Sequence, residues 1–202
     1  VPKKPVSYAL SIIDKLDTLV GFYLINEKPT SSKDPFALRR AAIGLLRTII
    51  ENNLVLKIGD LIEYYIRIYL KQGVKQLNTE VNKELIVFFR ERMKNIFKEK
   101  KIRTDVIDAS TSSHSSDNFL ELYKKALIMN KFISKELGKN AVSTYKRASN
   151  ILEQETTLSK NGPDAVLFKH EEEKELFEQI NSIRKAFTLR DEKKNYENHL
   201  KL

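Results

Sequence analysis

A chain of 202 residues that is 41% hydrophobic is long enough for one large domain or two small ones, and apolar enough to bury a core. It has no apolar run of the ~20 residues that a membrane-spanning helix requires, no signal peptide is expected behind Val1-Pro2-Lys3-Lys4-Pro5, and the absence of cysteine excludes disulfides, thiolate metal sites and thiol nucleophiles. The formal net charge of +9 points to an anionic partner, nucleic acid or a membrane surface.

Six glycines and five prolines leave long uninterrupted stretches, and these read as helix. Tyr8, Leu10, Ile12, Ile13, Leu16, Leu19, Val20, Phe22 and Tyr23 recur at three- and four-residue steps and predict a first helix. Asn26 to Asp34 is a loop, with Pro29, Thr30, Ser31 and Ser32 as turn formers. Asp34-Pro35 predicts the next helix start, because an Asp side chain accepts from orphan N–H groups and Pro at the first helical position loses no needed donor. That second helix carries Phe36, Leu38, Ala42, Leu45, Leu46 and Ile49, ends near Asn52-Asn53, and its wide apolar coverage predicts a central place in a bundle.

Asp60 is the expected cap of a third helix that runs to Gly73. Thr79, with Glu80 and Asn82, opens a fourth whose apolar face is Leu85, Ile86, Phe88, Phe89, Met93, Ile96 and Phe97. A short segment from Asp105 to Ala109 leads into Ser110–Ser116, a loop or a helix-joining turn. Phe119 to Leu137 and Ala141 to Leu152 are two further helices, separated at Gly138. Asn161-Gly162-Pro163 is the next break, and the last helix opens on Glu171, Glu172, Glu173 and Glu175, acids that suit the positive end of a helix dipole. No strand pattern is sustained and no fixed repeat emerges, so the predicted fold class is all-α, a helical bundle.

The charge is unevenly placed. Residues 35–78 hold seven basic and three acidic groups, whereas 161–202 hold eight and nine, so the excess lies between 35 and 160. No run of five like charges occurs, which mounts the charge on folded elements and not on a polybasic arm. Catalytic arrangements are quickly exhausted. His114, His170 and His199 stand apart, no His-x-x-x-His pair exists, and neither glycine-rich phosphate motif occurs, so each histidine reads as a surface residue. Asp14 and Asp17 share a helical face at the spacing of a metal pair, yet without other ligands they read as a solvated pair beside Lys15. No catalytic residue and no metal ligand is expected. The better signal is cations interleaved with rings, in Phe88-Phe89-Arg90-Glu91-Arg92 and in Tyr145-Lys146-Arg147. Single-stranded RNA is read by stacking on aromatic or Arg planes with phosphate neutralised nearby. The same clusters also fit core rings with a solvated charged face.

Two long segments carry a family resemblance. Asp14-Lys15-Leu16-Asp17-Thr18-Leu19-Val20-Gly21-Phe22 and Lys28-Pro29-Thr30-Ser31-Ser32-Lys33-Asp34-Pro35-Phe36-Ala37-Leu38-Arg39-Arg40-Ala41-Ala42 resemble the beta subunit of bacterial heterotetrameric glycyl-tRNA synthetase. That family reads D-K-L-D-T-L-V-G-F-F and then K-P-T-G-S-K-D-P-F-A-L-R-R-A-A. Phe88–Arg92 resembles its F-F-R-D-R, Asp105–Ala109 its D-L-I-D-A, and Tyr145–Leu152 its Y-K-R-A-x-N-I-L. The resemblance covers about residues 6–160. Ser31 stands where the family usually has Gly, so the loop before Asp34 needs no glycine-only conformation.

The resemblance implies a division of labour. An alpha subunit holds the class II site for glycine, ATP and Mg, so no cofactor is expected in this chain. The beta subunit, in an alpha2beta2 heterotetramer in the bacterial cytoplasm, contributes recognition of tRNA-Gly. It does so with an HD-like helical domain and an anticodon-binding helical domain similar to that of arginyl-tRNA synthetase. Asp14–Asp17 resembles the last helix of the HD-like domain, but the upstream ligands of HD hydrolases are absent, so no phosphohydrolase role carries over. The chain is expected to be a piece of a longer subunit. Residues 1–78 then join the end of the HD-like domain to the body, and 79–202 form most of the anticodon-binding domain. The expected tRNA contacts are Arg90, Arg92, Lys101, Arg103, Tyr145, Lys146 and Arg147. Asp34, Arg39 and Arg40 belong to the strongest motif, in either a bracing or an RNA-contacting role. The alternative is a structural, subunit-assembly region without RNA contact.

Overall fold

A computed structural model of the chain describes residues 1–30, 32–112, 117–154 and 163–188, the side chains of 154 and 185–188 excepted. The described residues form α-helices and one 3₁₀ turn, with no strand among them, as the periodicity predicts. The helices are α1 (Pro5–Leu24), α2 (Leu38–Glu51), α3 (Ile58–Lys71), α4 (Val81–Glu99), α5 (Thr104–Ser112), α6 (Phe119–Ile133), α7 (Glu136–Gln154) and α8 (Glu171–Thr188), with the 3₁₀ turn at Ala165–Leu167. Two compact units result, Val1–Asn130 and Lys131–Leu202. The first runs without interruption across position 78.

In the first unit α1 packs on α2, α3 and α4, and α4 packs on α1, α2, α3 and α5. α2, expected at the centre from its apolar coverage, packs on both α1 and α4. One side of α2 is buried through Leu38, Ala42, Leu45, Leu46 and Ile49, while Arg40 and Arg47 stay exposed on the other. Leu16, Leu19 and Leu24 of α1, Ile58 and Ile62 of α3, and Leu85, Phe89, Met93 and Phe97 of α4 complete the core with at most 1% of each surface exposed. Each such side chain contributes about 1.5–3 kcal/mol when fully buried. Phe89 meets Phe119 edge-on at 5.6 Å, which ties α6 to the same core.

Three helix starts differ from the expected ones. Asp34 does serve orphan N–H groups, but from a distance: its carboxylate accepts from Leu38 N at 2.8 Å and Arg39 N at 3.0 Å. Pro35 and Phe36 lie in a turn closed by Ala37 N donating to the Asp34 carbonyl, and Ala37 takes φ +55°, so α2 begins at Leu38. Asp60 sits inside the first turn of α3, and the Gly59 amide donates instead to Asp117, 58 residues away. At α4, Asn78 accepts from Glu80 N at 2.9 Å. The Asn78 amide group also donates to the Tyr23 carbonyl and to Glu84, and both the Leu77 and Asn78 amides donate to the Leu24 carbonyl. The α3–α4 connection is thereby sewn to the C-terminus of α1, as buried polar groups require.

In the second unit the break between α6 and α7 falls at Ser134-Lys135, not at Gly138. Gly138 lies in the first turn of α7, where a Cβ would overlap the Phe132 carbonyl oxygen. Glycine is required there by close approach of the preceding chain and not as a helix terminator. The 3₁₀ turn leads to α8, and Phe168 packs edge-on against Phe177 at 5.4 Å. Glu173 accepts from the Lys169 and His170 amides, so the acidic opening of α8 caps its own start. The expected break at Asn161-Gly162, together with Ser31, His114 and His199, lies outside the described residues.

Candidate nucleic-acid interface

The two strongest sequence motifs meet beside the C-terminus of α1. From α4, Arg92 lays its guanidinium over the Phe88 ring, 4.2 Å from the centroid. Phe88 in turn lies 5.5 Å from Tyr23 at the end of α1. From the first turn of α2, Arg39 donates to the Thr30 carbonyl of the preceding loop, and Asp34 of that loop accepts from the α2 amides. Lys28 closes the side of this region through an ion pair with Glu84 at 2.7 Å. A cavity of about 560 Å³ opens here, lined by Tyr23, Lys28, Pro29, Glu84, Phe88 and Arg92 among others.

The electrostatics of this corner follow from burial and from like charges. Burial pushes the Tyr23 phenol well above its ordinary value, against the pull of Arg92. Arg92 is pushed down, first by burial and next by the Arg39 guanidinium. Its Nε is out of solvent and has no hydrogen-bond partner among the described residues. Glu84 is held below the usual carboxylate range, mainly by its bond to Lys28 and further by Asn78.

Elsewhere the expected contact residues separate. Arg90 is only 6% exposed and sits within the field of Asp117, so its side chain serves the interior. Lys101 is exposed and holds a left-handed φ of +56° just after α4. Arg103 is exposed and forms a two-pronged pair with Asp105, at 3.1 and 2.7 Å. Arg40 is exposed on α2. In the second unit Tyr145 is 73% exposed, and Lys146 and Arg147 are exposed beside it, neither in an ion pair among the described residues. Successive residues on a helix stand ~100° apart, so these three fan around α7 and do not converge on one group. Lys146 shares a face with Lys139, two turns earlier, and Tyr145 shares another with Leu137, Ala141, Ala148 and Leu152.

Asp17, half of the candidate metal pair, accepts from the Tyr69 hydroxyl at 2.9 Å. Among the described residues no three or more His, Cys, Asp or Glu are grouped to hold a metal ion. No helix among them is long and apolar enough to cross a membrane. Sequence reasoning missed Tyr23, Lys28, Asn78, Glu84 and Asp117. Lys28 stood at the head of the quoted motif and Tyr23 in the apolar spacing of the first helix, but Asn78, Glu84 and Asp117 carried no local signal.

Comparison with known proteins gives a consistent result. A family model described as glycyl-tRNA synthetase beta subunit matches residues 1–112. The glycine–tRNA ligase beta subunit of a Ruegeria species is 41% identical over 155 residues, 76% of this chain and 21% of that protein. That of Rhodospirillum centenum is 39% identical over 181 residues, 87% of this chain and 25% of the relative. That of Paracoccus denitrificans is 36% identical over 200 residues, 95% and 27%. The chain thus spans about a quarter of the length of these relatives. The match places the Asp14–Phe22 and Lys28–Ala42 motifs, the Tyr23–Phe88–Arg92 corner and the whole of α1 to α5 inside the family region, and the chain belongs to the glycyl-tRNA synthetase beta subunit family.

Proposed function

We propose that this chain is the tRNA-Gly-binding part of a glycine–tRNA ligase beta subunit. In that role it supports ATP-dependent glycylation of tRNA, carried out with an alpha subunit that holds ATP and Mg, in an alpha2beta2 enzyme of the bacterial cytoplasm. Residues 79–202 act as the anticodon-recognition region and 1–78 join it to the rest of the subunit. Family membership is the observation that carries this reading. The exposed cations fit it: Arg40, Lys146 and Arg147 stand on helices, and Lys101 and Arg103 in the short connection between α4 and α5, where phosphate contacts position an RNA. Arg90, being buried, is withdrawn from the contact set. The experiment is equilibrium binding of tRNA-Gly to this chain across a salt series. Log affinity falls linearly with log salt if several phosphates are neutralised. No binding at low salt, or affinity indifferent to salt, contradicts the reading.

One observation favours a second reading for part of α7. Leu137, Tyr145 and Leu152 are exposed by 52% or more on the one face that also carries Ala141 and Ala148. An apolar stripe of this kind suits docking against another helix, which makes Tyr145 an assembly residue and leaves Lys146 and Lys139 on the opposite face for RNA. Tyr145→Ala separates the two: a loss of tRNA affinity supports stacking, and unchanged affinity assigns the ring to assembly.

A further inference from the structure

We propose that the cavity bounded by the end of α1, the loop after it and α4 is a binding site for an unpaired guanine base of the RNA. The inference rests on the tRNA-binding reading and adds to it a base contact in the first unit. The cavity's volume of about 560 Å³ falls within the ~300–1,000 Å³ of small-molecule sites. Its walls suit a flat ring, since Tyr23, Pro29, Val87 and Phe88 supply apolar surface. Its charged groups are three carboxylates, Glu80, Glu84 and Glu91, and three cations, Lys28, Lys83 and Arg92, so the lining is formally neutral. A phosphate or carboxylate entering here meets as many like charges as opposite ones, a penalty that a neutral ring escapes. The lining therefore selects a base over an oxyanion.

Arg92 supplies the polar recognition. Lys28 pairs with Glu84 at 2.7 Å, Lys83 with Glu80 at 3.6 Å, and Glu91 with Lys94 at 2.8 Å. The charges of Glu91 and Asp34 act on Arg92, but neither acid forms an ion pair with it among the described residues. The Arg92 guanidinium is fixed over Phe88 and its Nε is out of solvent, which leaves the two Nη groups as the donors for a ligand. The fork is held before any ligand arrives, so little side-chain entropy is lost on binding. Such a fork donates in pairs, and guanine accepts in pairs through O6 and N7, where adenine sets a donor beside its N7. The other edge of guanine carries the N1–H and amino donors, for which the rim carboxylates are acceptors. No other RNA base joins two adjacent acceptors to two adjacent donors. Both edges are open to a protein in single-stranded RNA.

The test uses this chain, two variants and two probes. Arg92→Lys keeps the charge and loses the fork, and Val87→Trp puts a large side chain at the cavity while Arg92 stays in place. Each variant is checked for an unchanged circular dichroism spectrum. The first probe is GMP against AMP, which carry the same phosphate and differ in the base, followed by NMR of the labelled chain at constant ionic strength. GMP shifts the Val87, Phe88 and Arg92 resonances saturably, AMP binds about tenfold more weakly, and both variants lose the difference. Equal binding of the two nucleotides, or a GMP preference that both variants keep, overturns the inference. The second probe is tRNA-Gly in a salt series. Arg92→Lys lowers affinity about tenfold and leaves the slope of log affinity against log salt unchanged, because a base contact depends on the fork and a phosphate contact on the charge. If GMP is preferred but Arg92→Lys leaves tRNA affinity as it was, the cavity takes a free nucleotide and the RNA assignment is overturned. Absence of any tRNA-Gly binding by the unchanged chain defeats the tRNA-binding reading, while the nucleotide arm still decides whether the cavity takes guanine.

Discussion

The Tyr69 hydroxyl of α3 donates to the Asp17 carboxylate of α1 at 2.9 Å and comes to rest where a side chain at Gly21 would have to stand. A Cβ on Gly21 lies 2.8 Å from that hydroxyl oxygen. The Asp and Gly of the motif Asp14–Phe22 thus make one joint with a tyrosine from another helix: the acid holds the hydroxyl, and the glycine makes room for it. Tyr69→Phe is expected to cost about 1 kcal/mol, the usual net worth of such a bond. Gly21→Ala gains up to ~1 kcal/mol of helix propensity, offset here by the clash. The two effects should be non-additive, with the double variant more stable than the sum of the singles, in a double-mutant cycle of urea melts.

The same joint makes the fold sensitive to alkali. Burial, and next the bond to Asp17, push the Tyr69 phenol up to about 12. A raised folded-state value favours the neutral phenol in the native chain. Its contribution is therefore complete below the unfolded value of about 10 and disappears as pH rises through the folded one. Unfolding free energy should fall between about pH 10 and about 12, and Tyr69→Phe should flatten part of that fall. A residual slope remains, because burial also raises Tyr23 and Tyr65.

Asp34→Ala removes the acceptor for two amides at the start of α2. The expected loss is about 1–2 kcal/mol, the upper part of the range for a lost cap. Asp34→Asn keeps one carbonyl oxygen and should recover part of it. Thermal melts followed by circular dichroism measure both, and equal losses would show that the carboxylate charge, not the acceptor count, sets the cap.

Gly138→Ala drives a methyl group into the Phe132 carbonyl at the α6–α7 junction. Overpacking of this kind costs about 1–3 kcal/mol, more than the helix propensity that alanine adds. Were Gly138 a simple helix terminator, alanine would join α6 and α7 and raise helicity. A lower melting temperature with unchanged or reduced helicity is the result expected here.

The helices were legible because their signal is local. Leu16, Leu19 and Val20, or Phe89, Met93 and Phe97, sit at helical steps, and burial followed the steps. The acids opening α8 likewise announced its start, since Glu173 reaches amides only three and four residues before it. The caps of α3 and α4 were not legible. Asp117 reaches Gly59 across 58 residues, and Asn78 is only one of several polar residues near Thr79 until Tyr23 and Glu84 are placed around it. The candidate site divides in the same way. Cations beside rings were visible as strings, but a string places Arg90 and Arg92 together, while the helix buries the first and lays the second on Phe88. That Arg92 on Phe88 comes beside Tyr23 depends on how α1 and α4 pack, which no local window contains.

The account turns on whether this chain grips tRNA-Gly through its helical cations. A chemical footprint of tRNA-Gly bound to the chain, read nucleotide by nucleotide, tests that most directly. The account predicts protection that includes the anticodon stem and loop and that recedes there when Lys146 and Arg147 are both changed to Gln. An unprotected tRNA, or protection confined to other regions and indifferent to those two changes, would contradict it.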